Sequence, residues 1–175
     1  MKIYEMEGKR PKISENVAFI ADDVTIIGDV NIEEGVTIFP GVIIEGYPIK
    51  VKIKKYSNIQ SGTVIHGLSG YETIIGSYNT IGHRCIIHGC KLESNVTIGI
   101  GSIIMGKTTI GENSFVGAGS LVTQNNNFQP NSLILGSPAK CLRKLTQDEI
   151  DDAMNVAKLY SEEGIKLSKN LKKII

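Results

Sequence analysis

Apolar residues in this chain recur every six positions, and that period excludes most of what 175 residues could otherwise fold into. Ile20, Ile26, Ile32, Ile38 and Ile44 mark the first run, and Val24, Val30, Val36 and Val42 lie four residues after the first four of them. The phase breaks, resumes at Ile53, Ile59 and Ile65, and again at Ile75, Ile81 and Ile87. After a five-residue step it restarts at Leu92 and runs through Ile98, Ile104, Ile110, Val116, Val122, Phe128 and Ile134. Neither an amphipathic helix nor a long alternating strand has this period; a short strand and a turn, repeated, does. Glycine often follows the aliphatic directly, as at Gly76, Gly82, Gly99, Gly111 and Gly117, and small polar residues such as Ser102, Thr108, Ser114 and Ser120 fall four after it. Such residues suit tight corners, where bulk would clash or a positive backbone angle is needed. The chain is expected to coil as an all-β solenoid.

After the GSPAK segment (Gly136 to Lys140) the pattern changes. Thr146 and Glu149 form a capping box, and Ile150, Met154, Ala157 and Tyr160 make one apolar stripe at helical spacing. A helix is expected from about 147 to 162, with Gly164 weakening whatever follows, as a strut along the solenoid. The expected division is a solenoid domain over 1–145 and a C-terminal helix within 146–175. Nineteen basic against eighteen acidic residues give a net charge of +1, which points to neither a nucleic-acid nor a membrane partner. The three cysteines read as free thiols, Cys85 and Cys90 as packing residues, and the N-terminus lacks the apolar stretch of a signal peptide, so a cytoplasmic location is expected.

The repeat resembles that of the hexapeptide-repeat family, whose members wind three units per coil into a triangular left-handed parallel β-helix. The resemblance covers roughly residues 13 to 140, and it supplies the handedness, since parallel crossovers in general are right-handed. Three units per coil sort the aliphatics onto three faces. Face A takes Ile20, Ile38, Ile59, Ile81, Ile98 and Val116; face B takes Ile26, Ile44, Ile65, Ile87, Ile104 and Val122; face C takes Ile32, Ile53, Ile75, Leu92, Ile110 and Phe128. The interruptions around 46 to 52 and 66 to 74 are expected as loops stacked on one corner.

The three histidines bear on function. His66 follows Ile65 and His88 follows Ile87, so both project outward from face B on successive coils, about 4.8 Å apart. His83 falls at the corner ending face A. Three imidazoles can ligate one zinc and leave a position for water, but one chain can hardly bring His83 to the other two. A ring-closed homotrimer, face A of one subunit against face B of the next, is the assumption that unites them.

These histidines, in SNIQSGTVIH (Ser57 to His66) and IGHRCIIHGC (Ile81 to Cys90), together with TIIG (Thr73 to Gly76), GAGSLVTQ (Gly117 to Gln124) and LGSPAK, resemble the γ-class carbonic anhydrases. The resemblance implies trimers with Zn2+, or iron or cobalt, held between subunits by His66, His83 and His88. It implies reversible hydration of carbon dioxide to bicarbonate by metal-bound hydroxide, with Asn58 and Gln60 beside the water and Tyr160 near the site. Where the family has Arg-Gly-Asp this chain has Glu45, Gly46 and Tyr47, and where it has Gln-Asp this chain has Gln60 and Ser61. An arginine that would pair with an anion is thereby gone. Glu45, on face B one rung before His66, reads as a group supporting the metal site or accepting a proton from its water.

Two alternatives stand beside this reading. One is coenzyme-A-dependent acyl transfer to a small acceptor, with one histidine as general base and Lys140, Arg143 and Lys144 for the cofactor's phosphates. The other is a non-catalytic metal-binding trimer. Spacing discriminates, because an acyltransferase needs one base rather than three converging histidines. Lys50, Lys52, Lys54 and Lys55 read as solvated surface.

Overall fold

The computed structural model describes residues 1–174 and shows a left-handed parallel β-helix closed by a single C-terminal α-helix. Parallel pairing stacks the inward aliphatics in register as three ladders. Face A runs Ile20, Ile38, Ile59, Ile81, Ile98, Val116 and Ile134. Face B runs Ile26, Ile44, Ile65, Ile87, Ile104 and Val122. Face C runs Ile32, Ile53, Ile75, Leu92, Ile110 and Phe128. Each side chain meets its counterpart one rung away, and the ladders together form one continuous buried core. β-Branched residues fit because a short strand holds χ1 in the stiff, stacked geometry they already prefer.

The solenoid is longer at both ends than the repeat implies. Lys2–Tyr4 pairs with Thr25–Ile27, and Ser132–Gly136 turns back on Ala139–Lys144 in antiparallel register, which covers the open strand edge. The corner glycines owe their place to crowding. A Cβ at Gly99 would lie 2.4 Å from the backbone nitrogen of Ala118 in the next coil, while positive φ is carried elsewhere, for example at Asn95 (55°) and Asn113 (56°). Those two asparagines also join across the rungs, Asn95 Nδ2 donating to Asn113 Oδ1 at 2.9 Å.

The two interruptions differ from the expected pair of loops. The first lies inside one extended strand, Ile43–Ile53, whose register against Thr25–Ile32 jumps from Gly28↔Gly46 to Val30↔Val51, so that 47–50 bulge outward. The second is a small hairpin closed by the Leu68↔Tyr71 bridge, with Leu68 lying over Gly89 and Gly106 of the following coils.

The helix α1 (Gln147–Asn170) starts at the capping box and runs past the expected end near 162 to Asn170. Gly164 does not end it. The residue is buried against face A, where an added Cβ would lie 2.4 Å from Thr37 Oγ1 and 3.0 Å from Ala18 Cβ. Close approach of helix to sheet is what the glycine serves. Thr37 Oγ1 donates to the Tyr160 carbonyl and Ser161 Oγ to the Gly35 carbonyl, pinning α1 across face A. No helix among the described residues is long and apolar enough to cross a membrane.

Candidate functional site

Face B carries a column of outward polar groups. Glu45, His66 and His88 each follow an inward isoleucine, and pairing sets them in one register, Glu45↔His66↔His88. The two imidazoles stack with centroids 5.2 Å apart and planes 11° from parallel. Tyr47, two residues after Glu45, packs edge-on to His66 at 5.8 Å, and its hydroxyl donates to Glu45 Oε1 at 3.1 Å. Thr73 ties the histidine strands to the hairpin: its Oγ1 donates to the His66 carbonyl at 2.6 Å and accepts from the Gly89 amide at 2.8 Å. Beside this column runs an apolar one, Ile43, Val64, Ile86, Ile103 and Leu121, in register on the same face. Ile43, Ile86 and Ile103 in it are exposed.

The electrostatics of the site favour the neutral imidazole of His88. Partial burial, and secondarily the neighbouring charge of His66, push its pKa below the ordinary histidine value. The hydrogen bond to Glu45, reinforced by that carboxylate's charge, pushes the phenol of Tyr47 up, so it stays a donor. No lysine, arginine or amino terminus forms an ion pair with Glu45 among the described residues. Lys50 and Lys52 nearby are taken by Asp29 (3.5 Å) and Glu72 (2.9 Å).

The remaining candidates lie elsewhere. His83 is exposed on the turn between Thr80–Ile81 and Ile86–His88, off face B. Asn58 and Gln60 are buried on face A, Gln60 Nε2 donating to Asn58 Oδ1 at 3.3 Å and Asn58 Nδ2 to Thr80 Oγ1 at 2.9 Å. Tyr160, a residue of α1, packs edge-on to Phe39 at 5.8 Å. The structure thus brings together Glu45, Tyr47, His66 and His88, and separates them from Asn58, Gln60, His83 and Tyr160. Cys85 and Cys90 are buried, and burial pushes the Cys90 thiol up to about 12.

The expectation of bound Zn2+, or of iron or cobalt, is corrected here. Among the described residues no group of three or more His, Cys, Asp or Glu side chains could hold a metal ion. The cause is the coil itself: His83 sits at a corner that the stacking of face B cannot reach, and Glu45 is turned to Tyr47. Two stacked imidazoles are an incomplete donor set, so no chemical step is derived through a metal. α1 lies across part of face A.

Of the basic residues considered for a cofactor's phosphates, Arg143 is engaged by Glu149 in a two-pronged pair at 2.7 and 2.8 Å, and Lys144 donates to the Pro130 carbonyl. Lys140 remains exposed. Tyr47 and Thr73 lie within stretches that the motif comparison covers, but that comparison gave neither a role in the site. For Tyr47 the signal was its spacing, since residues two apart on a strand share a face with Glu45.

The family described as bacterial transferase hexapeptide (six repeats) matches residues 89–124. The chain is 41% identical over 162 residues to a carbonic anhydrase of Geobacillus kaustophilus, covering 93% of this chain and 88% of that protein. It is 44% identical to a probable carbonic anhydrase of Methanocaldococcus jannaschii, covering 91% and 97%. A crystal structure from Bacillus cereus, provisionally designated an acetyltransferase, superposes with a TM-score of 0.93 at 38% identity, covering 96% and 97%. The chain belongs to the γ-class carbonic anhydrase-like family of hexapeptide-repeat proteins, whose fold is also that of acetyltransferases.

Proposed function

We propose that this protein transfers an acyl group from a coenzyme-A thioester to a small acceptor, using the imidazole pair of face B as general base. The observation that carries the reading is the stacked pair His66 and His88, open to one side of the solenoid, with the neutral His88 able to take a proton. Acyl transfer asks for one base, and this chain gathers no third ligand beside it. The acceptor gives its proton to the imidazole and bonds to the thioester carbonyl carbon. The carbon–sulfur bond then breaks, and the thiolate leaves with the proton from the imidazolium. Of the three basic residues considered, the exposed Lys140 would meet a phosphate of the cofactor.

A homotrimer belongs to the same proposal. The exposed aliphatic column beside the histidines is supported as a contact surface by its length and continuity, and a neighbour docked there would wall the site from water. His83, exposed at its corner, would then approach from the adjoining copy, whereas Asn58 and Gln60 stay buried within face A. The free thiols fit a reducing, cytoplasmic setting.

Hydration of carbon dioxide is the second reading, favoured by the identity with relatives of that name. Here the imidazole takes the proton of the attacking water, and Glu45 hands it to solvent. Two assays on the purified protein separate the readings. Release of free thiol from acetyl-coenzyme A in the presence of small amines and alcohols, lost in His88→Asn, supports transfer. No thiol release together with rapid carbon dioxide hydration in stopped flow overturns it in favour of the second reading.

A further inference from the structure

We infer that the face-B site recognises a small cationic amine, with Glu45 as the group that selects for its charge. The inference rests on the acyl-transfer reading for its chemistry and on the site's own charge for its recognition. Glu45 stands one rung from His66, half-buried, with no cation among the described residues paired to it, and Lys50 and Lys52 of the same strand pair with Asp29 and Glu72. Beside it the phenol of Tyr47 donates to one carboxylate oxygen, Oε1. That bond fixes the carboxylate and leaves the lone pairs of Oε2 and of the phenol oxygen as acceptors.

A ligand entering here from the open side meets acceptors and aromatic rings, and nothing positively charged among the described side chains of the cluster. An ammonium group matches these: it donates to Glu45 and to the phenol oxygen, and the aromatic ring of Tyr47 attracts a cation. An anion such as a carboxylate or bicarbonate meets repulsion from Glu45 and finds no partner. The amine then lies beside the imidazole column, so recognition and proton removal fall on adjacent rungs. After the ammonium gives one proton through the imidazole to solvent, the amine forms the carbon–nitrogen bond. Its second proton goes to the departing thiolate, giving an amide and free coenzyme A.

The test is a titration of the full-length protein, followed through the ring signals of His66 and His88 by NMR. The probes are n-butylammonium, n-butanol and butyrate, three ligands of nearly equal size and different charge. The expected result is saturable shifts with n-butylammonium, about fivefold or more tighter than with n-butanol, and no binding of butyrate. Glu45→Gln is expected to abolish the preference for ammonium over alcohol. Equal binding of ammonium and alcohol by the wild-type protein, preference for butyrate, or a preference that survives Glu45→Gln would overturn the inference, and the wild-type comparison decides even if the variant folds poorly. The thiol-release assay separates this from the acyl-transfer reading. Glu45-dependent ammonium binding without turnover removes that reading alone, whereas turnover indifferent to acceptor charge removes the amine inference alone.

Discussion

A methyl group at Gly99 would lie 2.4 Å from the backbone nitrogen of Ala118, whereas one at Gly119, whose φ is 66°, would meet nothing within 4 Å. The two glycines therefore answer to different physics, backbone crowding at one and conformational preference at the other. Gly99→Ala is expected to cost about 3 kcal/mol, because the obstacle is backbone with no rotamer to yield, and Gly119→Ala about 1 kcal/mol. Urea denaturation midpoints of the two variants check the order, and equal losses would contradict it. Cys90 gives a second test at this scale. With its thiol pushed up to about 12 by complete burial, it should not react with a thiol reagent at pH 8 in the folded protein, while the exposed Cys141 should. Labelling followed by peptide mapping reads this directly.

At the scale of elements, α1 is held by features of opposite origin at its two ends. Gly164 lies where the helix touches Thr37 and Ala18, so Gly164→Ala sets a helix-propensity gain of about 1 kcal/mol against a clash at 2.4 Å with a buried threonine. The clash should win by about 1–2 kcal/mol, with loss of the Thr37 to Tyr160 hydrogen bond, seen as lower helix content on mild heating. At the N-terminus, Glu149 is drawn down to about 2, first by the Arg143 guanidinium and then by the Thr146 amide. Its folded pKa is below its unfolded value, so its contribution is complete above about pH 4.5 and is lost as pH falls through about 2. Amide exchange in the first turn of α1 should therefore rise across that window, and in Glu149→Gln it should be raised already at pH 7.

For the whole molecule, the continuous apolar column of face B is the surface on which association should turn. Ile86→Lys combined with Ile103→Lys places two charges on adjacent rungs of it. Sedimentation is expected to report a shift from a trimer to a monomer, while unfolding of the chain itself changes little because both side chains point outward. The repeat in the sequence sufficed for the coil, since inward positions need β-branched residues at every rung and any break in phase shows. The sorting of aliphatics onto three faces, the outward pairing of His66 with His88, and the capping box of α1 are all local consequences of that period and of strand alternation. The separation of His83 from the imidazole pair was legible too, because the period puts it at a corner off face B. What the sequence could not carry was the course of the insertions and the close contacts of the helix: only the folded coil turned the run from Ile43 to Ile53 into one bulged strand and laid α1 on face A through a glycine whose value is tertiary. Joining Tyr47 to Glu45 and His66 was likewise left to the fold. Periodicity fixes which way a side chain points, but which neighbours it meets depends on how successive coils stack and where insertions leave the helix.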